Sequence, residues 1–161
     1  MKKLKNTSEN VAKFITNVSV LEEKLGPILF QLPPNWKQNR GRLQDFLEHL
    51  PTGYRYAFEF RNASWYTDEI YELLEKHNCA FCIYELDGHL SPLRITADFV
   101  YIRLHGPKGK YQGSYSQHEL AKWKENILSW SKETYIYFDN DQNGYAVFNA
   151  KQLKTMFHDI D

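Results

Sequence analysis

Six polar side chains fall within or just beyond apolar, strand-like runs of this chain: Gln31, Glu59, Arg61, Arg103, His105 and Asp139. Their types suit acid–base chemistry. Glu59 near Arg61 or Arg103 stays ionised, whereas Asp139 beside Tyr135 and Tyr137 need not. Two carboxylates in different surroundings can divide the acid and base roles. His105 alone can also serve as a general base near neutral pH. Glu59, His105 and Asp139 are therefore the candidate catalytic residues, and Gln31, Arg61 and Arg103 the candidate ligand-binding residues around them. Trp65, Trp36 and Tyr111 offer rings that can stack on a sugar or base, although Trp65 can equally pack the mouth of a barrel built from such strands.

Other chemistries find less support. Glu59, His105 and Asp139 have ligating atoms, but no HxH or HExxH spacing accompanies them, and no metal site is expected. Cys79 and Cys82 form one CAFC run with no second pair. They read as small core residues in a reducing compartment rather than as a disulfide or zinc framework. No nucleophile elbow, P-loop or dinucleotide fingerprint occurs, so no cofactor can be assigned.

These side chains need a scaffold, and the chain has the means to build one. It has 161 residues, of which 42% are hydrophobic and 16% aromatic, enough for one packed domain and too aromatic for disorder. Twenty basic and twenty acidic residues cancel, which argues against a nucleic-acid partner bound by bulk charge. No run of about 18 apolar residues occurs, so no membrane partner is expected. The basic start lacks the apolar stretch of a secretory signal, and a cytoplasmic location is expected.

Helical and strand-like periods alternate. Helices are expected over residues 9–24, 40–50, 67–77, 116–130 and 145–157. Strands are expected over 28–32, 55–61, 79–85, 98–105 and 134–139. Ser116 and Glu119 form a capping box, and Thr67 caps the third helix. Residues 86–97 read as an irregular connection. Such alternation implies a parallel sheet with helices outside it. Tyr56, Phe58 and Phe60 then face the helices, as do Val100, Ile102, Leu104, Ile136 and Phe138. The opposite face carries Glu59, Arg61, Arg103, His105 and Asp139, with Cys82 and Tyr84 assigned to it as well. One apolar face and one that turns polar toward the C-terminal strand ends fit a barrel with a polar mouth. Buried charges there must pair with one another or meet a ligand.

Four runs, LGPILFQLPP (25–34), YAFEFRNASW (56–65), DFVYIRLHG (98–106) and YIYFDNDQNGYAVFNA (135–150), resemble the domain-of-unknown-function 72 family, the YecE-like uncharacterised proteins. The resemblance covers essentially the whole chain. It implies an α/β fold of the TIM-type (β/α) barrel class, with parallel strands and helices outside. About five of the eight strands of a full barrel would be present, residues 1–161 forming the C-terminal part of one domain without its N-terminal strands. Two positions depart from the family pattern: Asn62 stands where His is usual, and Asp139 where Asn is usual. The resemblance implies no reaction.

If the resemblance sets the strand numbering, residues 106–115 and 140–144 are the loops that bind phosphate in many such barrels. In the first, GPKGKYQGSY, glycines permit close backbone approach, Lys108 and Lys110 bring charge, and a helix starts at Ser116. Lys108, Lys110, Tyr111, Asn140 and Trp65 thus join the candidate ligand-binding residues. The expected function is a polar small-molecule site that binds an anionic, phosphorylated or carboxylated metabolite by acid–base chemistry. The alternatives are a non-catalytic binding or interaction module, or a nonfunctional remnant. Self-association, or complementation by an N-terminal fragment, is the expected partnership, because an open sheet leaves unpaired edges.

Overall fold

The structure is a computed structural model that describes Leu4 and residues 7–158. The ends of the expected domain 1–161 lie outside the described residues. The chain divides into two compact units, Met1–Phe81 and Cys82–Asp161.

The first unit contains α1 (Ser8–Val18), β1 (Ile28–Leu32), α2 (Arg40–Glu48), β2 (Tyr56–Phe60), α3 (Asp68–Lys76) and the start of β3 (Ala80–Leu86). β1 and β2 run parallel with Gln31 opposite Glu59, and β2 pairs in parallel with β3 at Ala57–Ala80 and Phe58–Phe81. The expected aromatic face is present as a row of rings. Phe30 stacks on Phe58 at 5.3 Å, Phe58 on Phe60 at 6.3 Å and Phe60 on Phe81 at 6.1 Å, while Phe46 of α2 meets Phe30 edge-on at 5.0 Å. Burying each such side chain contributes roughly 1.5–3 kcal/mol.

The second unit contains the rest of β3, β4 (His89–Leu90), β5 (Phe99–Leu104), α4 (Gln117–Trp130), β6 (Glu133–Phe138) and α5 (Tyr145–His158). β3 pairs in parallel with β5, and β5 with β6. Ile83, Ile102, Leu104, Leu120, Trp123 and Leu153 are buried and form its core. Ser116 and Glu119 make the expected reciprocal cap on α4. Among the described residues β1 pairs only with β2, and β6 only with β5, so the parallel sheet stays open, as expected of part of a barrel. No helix among the described residues is long and apolar enough to cross a membrane.

Two local expectations are corrected. The first helix ends at Val18 and passes into a 3-10 turn (Ser19–Lys24) broken at Glu22, whose φ is 48°. The Thr16 and Ser19 hydroxyls donate back to the Ala12 and Thr16 carbonyls, an alternative to helix continuation. Residues 86–97 are not wholly irregular, since β4 returns antiparallel against β3. The Asp87-Gly88 pair, with φ of 56° and 76°, makes the left-handed turn that a two-residue hairpin requires.

Candidate functional site

In the second unit the polar residues converge at the C-terminal ends of β5 and β6. The register sets Arg103 opposite Tyr137 and Leu104 opposite Phe138. The ladder continues one step further, with the Asp139 N–H donating to the Leu104 carbonyl at 2.8 Å. Strand alternation then puts Arg103, His105 and Asp139 on one face. Asp139 Oδ2 lies 2.9 Å from Arg103 Nη2 and 3.4 Å from His105 Nδ1. His105 is fully buried, whereas Arg103 and Asp139 keep 20% and 28% of their side-chain surface. One carboxylate therefore bridges a guanidinium and an imidazole. Below them Tyr101 lies 5.1 Å from Tyr137, and burial pushes the Tyr101 phenol well above its ordinary value.

The loop of residues 106–115 closes over this cluster. Tyr111 meets the His105 ring edge-on at 5.4 Å and is itself 51% exposed. The neck of the loop is tightly held. Gly106 has φ 118°, and a side-chain carbon there would collide with the Gln112 backbone, so only glycine fits. The Gly106 N–H donates to the Tyr115 hydroxyl, and the Gly113 N–H to Gln142 Oε1. Asn140 and Asn149, both fully buried, complete the anchor. Asn140 Nδ2 donates to the Gly113 carbonyl and to Asn149 Oδ1. Asn149 Oδ1 accepts the Tyr115 N–H, and its Nδ2 donates to the Tyr115 carbonyl.

Beside this neck, Tyr115 is hydrogen-bonded to Glu85 at the end of β3. Burial holds the Glu85 carboxyl above its ordinary 4.5; the Tyr115 hydrogen bond partly offsets this and Glu119 adds to it. The same burial, with Glu85 alongside, raises the Tyr115 phenol. Of the loop lysines, Lys110 lies 3.9 Å from Asp87 in an exposed pair, and the Lys108 stem lies over Gly113.

The remaining expected residues lie in the first unit. Glu59 is fully buried and ion-paired with Arg61 Nε, and Gln31 is its neighbour in register. Trp65 is corrected to a core residue. It is fully buried, stacks on Phe60 at 4.9 Å, meets Trp36 edge-on and donates Nε1–H to the Trp36 carbonyl. Its ring offers no accessible face for a ligand. Asn62 caps the short turn Ala63–Trp65 and donates to the Pro34 carbonyl. Among the described residues, no three His, Cys, Asp or Glu side chains gather in a group that could hold a metal ion. Cys79 and Cys82 are buried thiols, and burial pushes Cys79 up to about 12.

Asn149, Tyr115 and Glu85 were not singled out by sequence reasoning. One signal was available: Asn149 lies between Ala146 and Leu153 at helical spacing, on a stripe that is otherwise apolar. A polar side chain on a core-facing stripe needs buried partners.

An open parallel α/β sheet with a polar cluster at its C-terminal strand ends defines the class of protein. The sequence profile of the family described as "Protein of unknown function DUF72" matches residues 1–160, and the chain belongs to that family. It is 29% identical over 162 residues to the UPF0759 protein YunF of Bacillus subtilis, covering 81% of this chain and 57% of that protein. The chain thus spans little more than half the length of that relative. A DUF72 family protein of Thermotoga maritima superimposes with a TM-score of 0.86 at 32% identity, over 98% of this chain and 68% of that one. A second, from Enterococcus faecalis, gives 0.82 at 21% identity, over 94% and 66%, and speaks for the fold alone.

Proposed function

We propose that the strand ends of β5 and β6 form a small-molecule site for an anionic, phosphorylated or carboxylated metabolite, with His105 as the general base. The observation that carries this reading is the Asp139 carboxylate set between Arg103 at 2.9 Å and the buried His105 at 3.4 Å. Arg103 balances the Asp139 charge in a partly buried place. Arg103, Lys108 and Lys110 supply the positive charge for the ligand's anionic group. His105 takes a proton from the position next to that group, and Asp139 stabilises the imidazolium that results.

Inorganic phosphate is the test probe. Phosphate at about 100 times its dissociation constant raises stability by about 2.7 kcal/mol. The expected result is a phosphate-dependent rise in melting temperature that the double variant Lys108→Ala, Lys110→Ala weakens without changing the melt in plain buffer. A phosphate response of unchanged size in that variant removes the loop from the site. No response in the wild-type chain refutes the anion reading.

A further inference from the structure

His105 cannot act while it is covered, and the way it is covered suggests how it is reached. Its exposure is zero, and the ring against it belongs to Tyr111, which is half exposed. The loop carrying Tyr111 has two parts that are held very differently. The neck, Gly106 and residues 112–115, is fixed by the Gly106–Gln112 backbone approach and by Asn140, Gln142, Asn149 and Tyr115.

The tip, residues 107–111, has weak tethers: the Gln112 N–H reaches the Gly109 carbonyl at a long 3.3 Å, and the flexible Lys108 stem rests on Gly113. Lys110 pairs with Asp87 at 3.9 Å, with both side chains more than half exposed. Such pairs contribute little. The Tyr111 carbonyl accepts the Gln142 N–H at a long 3.4 Å. Tyr111 itself is held at φ 61°, a left-handed conformation that a bulky L-residue adopts at a cost and leaves when released.

From this contrast we infer that Tyr111 is the gate of the site: the tip 107–111 swings on its fixed neck, uncovers His105, and carries Lys108 and Lys110 with it. The inference rests on the proposed role of His105 and adds how that residue becomes accessible. Tyr111 acts by position rather than by chemistry, because its ring covers the imidazole edge-on. A ligand's anionic group that draws Lys108 and Lys110 would move Tyr111 too, since all three lie on the same five-residue tip.

The test reads access alone and needs no ligand. Histidines are carbethoxylated with diethyl pyrocarbonate at one fixed pH, and each is followed by peptide mass spectrometry. His118 on the surface of α4 is the fast reference and His77, whose Nε2 is buried, the reference for an intact fold. In the wild-type chain His105 is expected to react much more slowly than His118. Tyr111→Gly removes the ring and suits the left-handed backbone, so it should speed His105 by about tenfold, the change when an opening step of about 1.4 kcal/mol is lost. His77 and His118 should not change, and Tyr111→Phe should behave as wild type.

If Tyr111→Gly also speeds His77, the decision passes to Tyr111→Asn, which tolerates the same backbone. A His105 rate unchanged in the folded ringless variant, or a wild-type His105 as fast as His118, overturns the gate. A working gate together with no phosphate response would sink the anion reading and leave the gate standing.

Discussion

Replacing Asn149 with alanine should cost far more than its place in the middle of the last helix suggests. The side chain is fully buried and makes six hydrogen bonds: from the Tyr115 N–H at 3.1 Å, Asn140 Nδ2 at 2.9 Å and Ser114 Oγ at 3.4 Å, and to the Tyr115 carbonyl at 3.0 Å, Ser114 Oγ at 3.1 Å and Gln152 Oε1 at 3.1 Å. Ser114 and Gln152 are less deeply placed, and water can replace their bonds. Asn140 keeps its bond to the Gly113 carbonyl. The Tyr115 N–H is left unpaired, its carbonyl keeps only a long 3.5 Å bond from Ser114 Oγ, and a buried orphan costs about 1–3 kcal/mol. One full orphan and one weakened bond together cost about 2–4 kcal/mol, a large part of the 5–15 kcal/mol that holds a typical domain together. Urea unfolding is the assay. With a slope of about 2 kcal/mol per molar, the midpoint should fall by about 1–2 M. Lys151→Ala, exposed on the same helix, should stay within about 0.5 kcal/mol. A loss below about 1 kcal/mol for Asn149→Ala would mean that the loop neck does not depend on this amide.

Two further expectations concern titration. Glu85 is held above its ordinary 4.5 by burial. Below that value it is neutral whether the chain is folded or not, and as pH rises the unfolded chain ionises first, so the group increasingly disfavours the fold. Glu85→Gln keeps an acceptor for Tyr115 and should gain melting temperature over wild type as pH rises from about 4 toward neutrality. A constant difference across that range would exclude the linkage. Cys79, with its thiol pushed up to about 12 and its surface 2% exposed, should resist iodoacetamide at pH about 8 until urea unfolds the chain. Prompt alkylation of the folded protein would contradict its placement.

Much of the fold is legible because two periods, two and about 3.6, mark the strands and helices in order. The same parity argument places Arg103, His105 and Asp139 on one face from the sequence alone. Other features depend on partners far along the chain. Trp65 follows a strand end and looks available, yet its fate is decided by the Trp36 carbonyl, 29 residues earlier. The Asp87-Gly88 turn was a local signal that the irregular reading of 86–97 passed over. Tyr111 reaches His105 only through a left-handed backbone that no propensity assigns to tyrosine. Glu85 and Asn149 matter through contacts with one loop, and only the polar break in an apolar helix stripe hinted at the second.

The fixed neck has a consequence for how this chain can be altered. Its hydrogen bonds close the loop below residue 107 and above residue 111, so the five residues between contribute little to the core. That segment is an interchangeable cartridge. Its length, charge and ring content can be rewritten to admit different molecules to His105, while the sheet and helices that carry it remain the same chassis.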